Sequence, residues 1–127
     1  CGFVTRGSYL GCSPDGIVVE TDERRMVQIK VPMPENYPEK IIDDGHMEYV
    51  PQVKMELFVC DFNISDLVIY SPELQAGEII LIERDREFDK KILSKMRRAV
   101  QYQDKVDVKI REQIRMRDEM RTMRKGN

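Results

Sequence analysis

The chain has 127 residues, with 21 Lys+Arg against 23 Asp+Glu and a formal net charge of −2. That size bounds it to one small domain, and the near-neutral balance argues against a tail that binds nucleic acid by charge alone. No apolar run is long enough to span a membrane and no signal-peptide pattern is present, so no membrane partner and a cytoplasmic, intracellular setting are expected.

Hydrophobic residues at 41% supply a modest core, and 35% charged residues imply a well-solvated surface. The chain opens on Cys1 rather than Met, and its first residues read as the interior of a domain, which suggests a fragment or a processed product. Cys1, Cys12 and Cys60 are too few and too scattered for a disulfide framework or a CxxC metal site. They read as reduced, packed thiols.

In chain order, residues 7–15 read as an extended lead-in that ends in the turn signal Ser13-Pro14-Asp15-Gly16. Residues 17–19 form a short apolar strand, residues 21–25 a polar turn, and residues 26–31 a second strand with strict alternation. Pro32 and Pro34 stop the sheet. Residues 37–45 suggest a short helix closed by Gly45. A stronger helix follows to about Cys60, with Tyr49, Val53, Leu57 and Phe58 at helical spacing and Pro51 in the first turn. Residues 67–70 and 79–82 are two further strands around a turn at residues 71–77. From Phe88 the pattern is helical, with Ile92, Leu93, Met96 and Val100 on the same face. The stretch "KIREQIRMRDEMRTMRKGN" is helix-prone but lacks a wide apolar stripe, so it reads as a solvated helix. The alternative is an oligomer contact or a nucleic-acid-facing arm using Arg115, Arg117, Arg121 and Arg124.

The chemistry concentrates in "GCSPDGIVVETDERRMVQIKVP". Strand alternation puts Gln28 and Lys30 on one face and Val27, Ile29 and Val31 on the other. With a turn centred near Asp22 and Glu23, the antiparallel register brings Asp15 roughly opposite Lys30. A carboxylate, a second oxygen ligand and an ammonium then converge at one end of the sheet, with the Ile29 carbonyl as a further hard ligand. Such a set suits phosphodiester hydrolysis: Mg²⁺ takes oxygen ligands and activates water, and a nearby lysine orients that water or neutralises phosphoryl oxygens. On spacing alone the bland reading competes, because Asp-Gly is a common turn pair and alternating polar residues usually mark a solvated strand face.

The words "SPDG", "VQIKVP" and "YVPQVKMELFV" occur in an order and at a spacing that resemble the PD-(D/E)xK nuclease superfamily, and more narrowly its lambda-type exonuclease and YqaJ-type viral recombinase family. The later "IILIERDREF" is similar to that family's last core strand and following helix, so the resemblance runs to about Val100. It implies an α/β restriction-endonuclease-like core, a central mixed sheet flanked by helices, over residues 1–102, followed by a charged helical extension over residues 103–127. It also implies a Mg²⁺- or Mn²⁺-dependent exonuclease that digests duplex DNA ends from the 5′ side and passes the single strand to an annealing protein, inside a bacterial or virus-infected cell. A homo-oligomeric ring is implied too. By position, Asp15 matches the metal-binding aspartate, Lys30 the catalytic lysine, Ser13 a serine near the terminal phosphate, and Gln52 the glutamine of the helix behind the site.

Two departures stand out. The family's glutamate is Gln28 here, and Met33 to Asn36 offer no counterpart to the arginine that some members carry after the "KxP" loop. The family's N-terminal helices, with an acidic residue and a phosphate-binding arginine, are also absent from the chain. An amide keeps one carbonyl oxygen of glutamate and loses the negative charge. Three readings stay open: an inactivated nuclease, a non-catalytic DNA-binding or structural module with the nuclease fold, or a nuclease in which other ligands compensate. His46 is the only histidine, which leaves no basis for a histidine-rich metal centre or a Ser-His triad. No glycine-rich phosphate loop follows a strand, which argues against an NTPase.

Overall fold

The computed structural model describes residues 2–20 and 23–126. Contacts divide the chain after Lys90 into two compact units. In the first, β1 (Val4–Arg6) and β2 (Leu10–Cys12) form an antiparallel hairpin with Val4 opposite Cys12. Gly7, at φ 66°, takes the left-handed turn conformation that suits a residue without Cβ. The segment expected to be an extended lead-in is extended at β2, which turns back to pair with β1.

The main sheet has the order β3 (Gly16–Glu20), β4 (Glu23–Lys30), β5 (Ile64–Ser71) and β6 (Ala76–Glu83). The outer pairs are antiparallel and β4 pairs with β5 in parallel, giving the mixed sheet expected from the resemblance. A parallel pair needs a crossover. Here it consists of α1 (Tyr37–Ile41), a 3-10 helix (Gly45–Tyr49) and α2 (Val50–Cys60).

The β3–β4 register differs from expectation. Gly16 faces Val27 and Glu20 faces Glu23, so the ladder continued by one residue sets Asp15 opposite Gln28 rather than Lys30. Pairing persists to Glu20 and Glu23, which moves the centre of the ladder one residue towards the N-terminus from the expected one. Thr21 and Asp22, within the expected turn, lie outside the described residues, as does Cys1.

Pro51 occupies the first turn of α2, where its missing N–H costs no hydrogen bond. The helix ends at Asp61, which is left-handed at φ 59°. The Asp61 and Phe62 amides donate back to the carbonyls of Phe58 (3.3 Å) and Leu57 (3.0 Å), closing the end. The Arg6 guanidinium donates to the same Phe58 carbonyl at 2.7 Å and lies 4.2 Å from the Phe58 ring, tying the small hairpin to this terminus. Arg84, its side chain 5% exposed, bonds to Asp61 at 2.6 Å and Asp89 at 2.8 Å. One buried cation thus joins the end of β6 to the cap of α2 and the first turn of α3 (Arg86–Lys125). Cys12 and Cys60 are free thiols with their sulfurs 3.5 Å apart; burial, then the Cys60 thiol, pushes Cys12 up to about 12.

The core lies between α2 and one face of the sheet: Met26, Tyr37, Val50, Val53, Leu57, Leu67, Ile69 and Ile82. On the other face Ile29, Tyr70, Ile79 and Leu81 are exposed. The second unit is the remainder of α3, with exposed charged residues and apolar side chains such as Ile114 and Met120. Arg115 reaches Glu119 across one helical turn at 3.7 Å. No helix among the described residues is long and apolar enough to cross a membrane.

Gly45 fixes how the crossover reaches α2. Its amide donates to the Ile42 carbonyl at 2.9 Å, and a Cβ on it would overlap the Glu39 carbonyl oxygen. Backbone cannot yield as a flexible side chain does, so Gly45→Ala is expected to destabilise the protein by about 1–3 kcal/mol. Paired thermal melts measure this. An unchanged midpoint would mean that the turn shifts at no cost.

Candidate active site

Asp15, Gln28, Ile29, Lys30 and Gln52 fall at or near the C-terminal end of β4. Asp15 lies just past the point where β3 begins to pair, and there β4 loses its antiparallel neighbour. The exposed Asp15 side chain takes over that role, with Oδ2 accepting the Ile29 amide proton at 2.8 Å. In a strand the N–H and C=O of one residue point to the same edge. The Ile29 carbonyl is therefore directed to the edge that carries Asp15. Oδ1 of Asp15 is left available, since the amide occupies only one oxygen.

Lys30 closes β4. Its ammonium donates to Oε1 of Gln52 at 2.7 Å and lies 5.5 Å from the Tyr49 ring. Gln52 stands in the first turns of α2, and its Nε2 donates to Oε1 of Glu56 at 3.3 Å. A strand lysine, a helix amide and a helix carboxylate are thereby linked in one chain. Ser13 is exposed in the link between β2 and β3.

Gln28 is 5% exposed, on the sheet face under α2 that also carries Met26 and Lys30. Its Oε1 has no hydrogen-bond partner among the described residues. A buried acceptor left bare costs roughly 1–3 kcal/mol, and such an atom marks where a water or an ion completes the structure.

Glu56 was missed in the sequence, where it reads as one more polar helix residue. It is 5% exposed, and its Oε2 has no partner among the described residues. Burial pushes its carboxyl above the ordinary glutamate range; the Gln52 bond and the Lys30 charge oppose that shift, and Asp15 adds to it. A usable signal was present: Glu56 is three residues after Val53 and four before Cys60, on the stripe that Leu57 also occupies.

These oxygens fit a hard divalent cation. Asp15, the Gln28 amide, the Ile29 carbonyl and Glu56 offer oxygen donors only, the kind Mg²⁺ and Mn²⁺ select. No cluster of three or more His, Cys, Asp or Glu stands among the described residues, so amide and backbone carbonyl oxygens are needed to complete the set.

No protein-family model matches the chain, and no curated protein matches it. Solved structures do. The chain is similar to an alkaline exonuclease (LHK-Exo) from Laribacter hongkongensis, with 22% identity and a TM-score of 0.58. It is similar to LHK-Exo in complex with dAMP at 23% identity and a TM-score of 0.61. Each alignment covers 87% of this chain and 62% of the neighbour, so the chain spans less than two thirds of those proteins. The likeness shows the fold: a mixed four-stranded sheet flanked by helices, shared with an alkaline exonuclease.

The buried carboxyl sets a pH dependence. An acid whose pKa rises on folding contributes stability that is full below its unfolded value and lost as pH climbs through the folded one. In EDTA the Glu56 contribution is therefore expected to lower the melting midpoint as pH rises from about 4.3 through the raised Glu56 pKa. Glu48, Asp61 and Asp85, whose carboxyls are held low by Lys40, Arg84 and Lys54, make the opposite contribution. Glu56→Gln should remove the Glu56 contribution. Parallel melting profiles for the two proteins would show that Glu56 titrates like an exposed carboxyl.

Proposed function

We propose that this chain is the catalytic core of a metal-dependent deoxyribonuclease, a 5′-3′ exonuclease of phage-type recombination that resects duplex DNA ends. The observation that carries the reading is the pairing of Asp15 with the end of β4 beside a lysine held by a helix glutamine, on a fold similar to an alkaline exonuclease. Asp15, Gln28 and the Ile29 carbonyl would hold Mg²⁺ or Mn²⁺. When bound, the metal supplies Lewis acidity, lowering the pKa of an attacking water and offsetting charge on phosphoryl oxygens.

The chain's own residues do the rest. Asp15 uses one oxygen to fix its rotamer against the Ile29 amide and offers the other to the site. Lys30, oriented by Gln52, donates to a nonbridging phosphate oxygen or to the attacking water, where a fixed charge costs no reorganisation during reaction. Ser13 is assigned to the terminal phosphate of the strand being cut. In the same reading a single-strand annealing protein receives the product, and copies of the chain close into a ring around DNA.

One observation favours a second reading. Gln28 brings no charge to the position where the resemblance implies a glutamate, as a nuclease-fold module that binds DNA without cutting would have it. Cleavage of linear 5′-phosphorylated duplex separates the two. The nuclease reading expects Mn²⁺-dependent shortening from the 5′ end that falls by roughly a hundredfold or more in Lys30→Ala, with the melting midpoint preserved because the ammonium lies at the surface of the site. Asp15→Asn is expected to weaken Mn²⁺ binding in calorimetry. Duplex binding without cleavage, unchanged by Lys30→Ala, would establish the second reading.

A further inference from the structure

Resting on the metal-dependent reading above, we propose that Glu56 is the second carboxylate of the metal site, replacing from α2 the charge that Gln28 lacks on β4. Two buried oxygens carry the inference. Oε1 of Gln28 and Oε2 of Glu56 are both without a hydrogen-bond partner among the described residues, and both residues are 5% exposed. Both are acceptors, one from the sheet face beneath α2 and one from α2 itself.

When Glu56 is ionised, amide and carboxylate do not satisfy each other through these atoms, because neither oxygen brings a proton. The one ammonium at hand is already directed elsewhere: Lys30 donates to Gln52, and Gln52 in turn donates to the other oxygen of Glu56. Gln52 thus stands between cation and anion and leaves Oε2 bare. Retaining a buried carboxylate without a counter-charge is strongly unfavourable, whereas a dication that meets it reverses the sign. Asp15 and Glu56 belong to one linked set: Asp15 bonds the Ile29 amide, and the next residue, Lys30, is tied through Gln52 to Glu56. The complete set would then be two carboxylates, one amide oxygen and one backbone carbonyl, leaving positions for water.

The helix also explains how the exchange is possible. Gln52 and Glu56 are four residues apart and stack on one face of α2 over the end of β4. A carboxylate one turn beyond the glutamine approaches the site from above, whereas one at position 28 would rise from the strand below. The charge assigned to the metal is the same in both arrangements.

The test uses the 127-residue chain and compares the unaltered protein with Asp15→Asn, Glu56→Gln, Glu56→Met and the double variant Gln28→Glu/Glu56→Gln. Mn²⁺ affinity by calorimetry and the metal-induced rise in melting midpoint are the readouts. Glu56→Gln is expected to weaken Mn²⁺ binding by about tenfold or more, and the double variant to recover most of that loss. Glu56→Met keeps the bulk and removes both oxygens. It should melt at or above the unaltered protein in EDTA and lose the metal-induced rise, which keeps the test decisive if the glutamine variant folds poorly. Full metal response in Glu56→Gln or Glu56→Met, with loss in Asp15→Asn, would overturn the role of Glu56 and leave the nuclease reading standing. No Mn²⁺ binding by the unaltered chain, or none that depends on Asp15, would overturn both.

Discussion

The parallel pairing of β4 with β5 is the constraint from which the site follows. Two strands that run the same way cannot be joined by a hairpin, so the chain must leave the sheet, cross its face and return. Here the crossing is made by α1, the 3-10 helix and α2, and it closes over Met26, Leu67, Ile69 and Ile82. Because the return packs on the sheet face that β4 shares with β5 and β6, Gln52 of the helix is brought to the end of β4. Lys30 meets Gln52 for this reason, although 22 positions separate them in the chain. Gly45 turns the crossing between α1 and the 3-10 helix, the left-handed Asp61 ends it, and the Arg84 ion pairs hold its exit.

Much of this was legible in the sequence. Alternation in "MVQIKV" placed Gln28 and Lys30 together, and the spacing of Val53 and Leu57 gave α2 its buried face. The strands β5 and β6 were found as apolar runs, each in fact longer by polar residues such as Ser65, Asp66 and Glu83 that pairing, not hydrophobicity, recruits. The β1–β2 hairpin was not legible: three-residue strands ending in exposed Thr5 and Arg6 carry no period, and only Gly7 hinted at the turn. The register of β3 and β4 was missed by two residues because a polar connection of several residues offers more than one place to turn.

The face that β4 buries also ran against simple patterning. Val27, Ile29 and Val31 form the more apolar set, yet Ile29 and Val31 are exposed while Gln28 is buried. Burial is decided by the sheet as a whole. Met26 lies opposite Ser65, and Gln28 opposite Leu67, on the face covered by α2. A single strand read alone does not contain its neighbours' contributions, so a glutamine set among core residues looks like part of a solvated edge.

Glu56 poses the same problem in a helix, and its consequence is chemical. Among Val53, Leu57, Phe58 and Val59, a glutamate is the residue least suited to burial. A leucine there would extend the stripe at no electrostatic cost, and replacing buried charge with packed hydrophobic side chains often stabilises a protein. The stability lost by keeping a carboxyl in this position therefore has to be set against something the folded chain alone does not contain. Asp15 is exposed and held through one oxygen by the Ile29 amide, which in the proposed site would leave its other oxygen to a dication. Glu56 is buried and bonded by the Gln52 amide, and in the proposed site the same burial that raises its pKa would strengthen its attraction for a cation. A neutral amide at position 28 is tolerable in that setting. If Asp15 and Glu56 supply the two negative charges of the proposed site, a third at position 28 would add repulsion when the site is empty, whereas an amide oxygen would add a ligand without it.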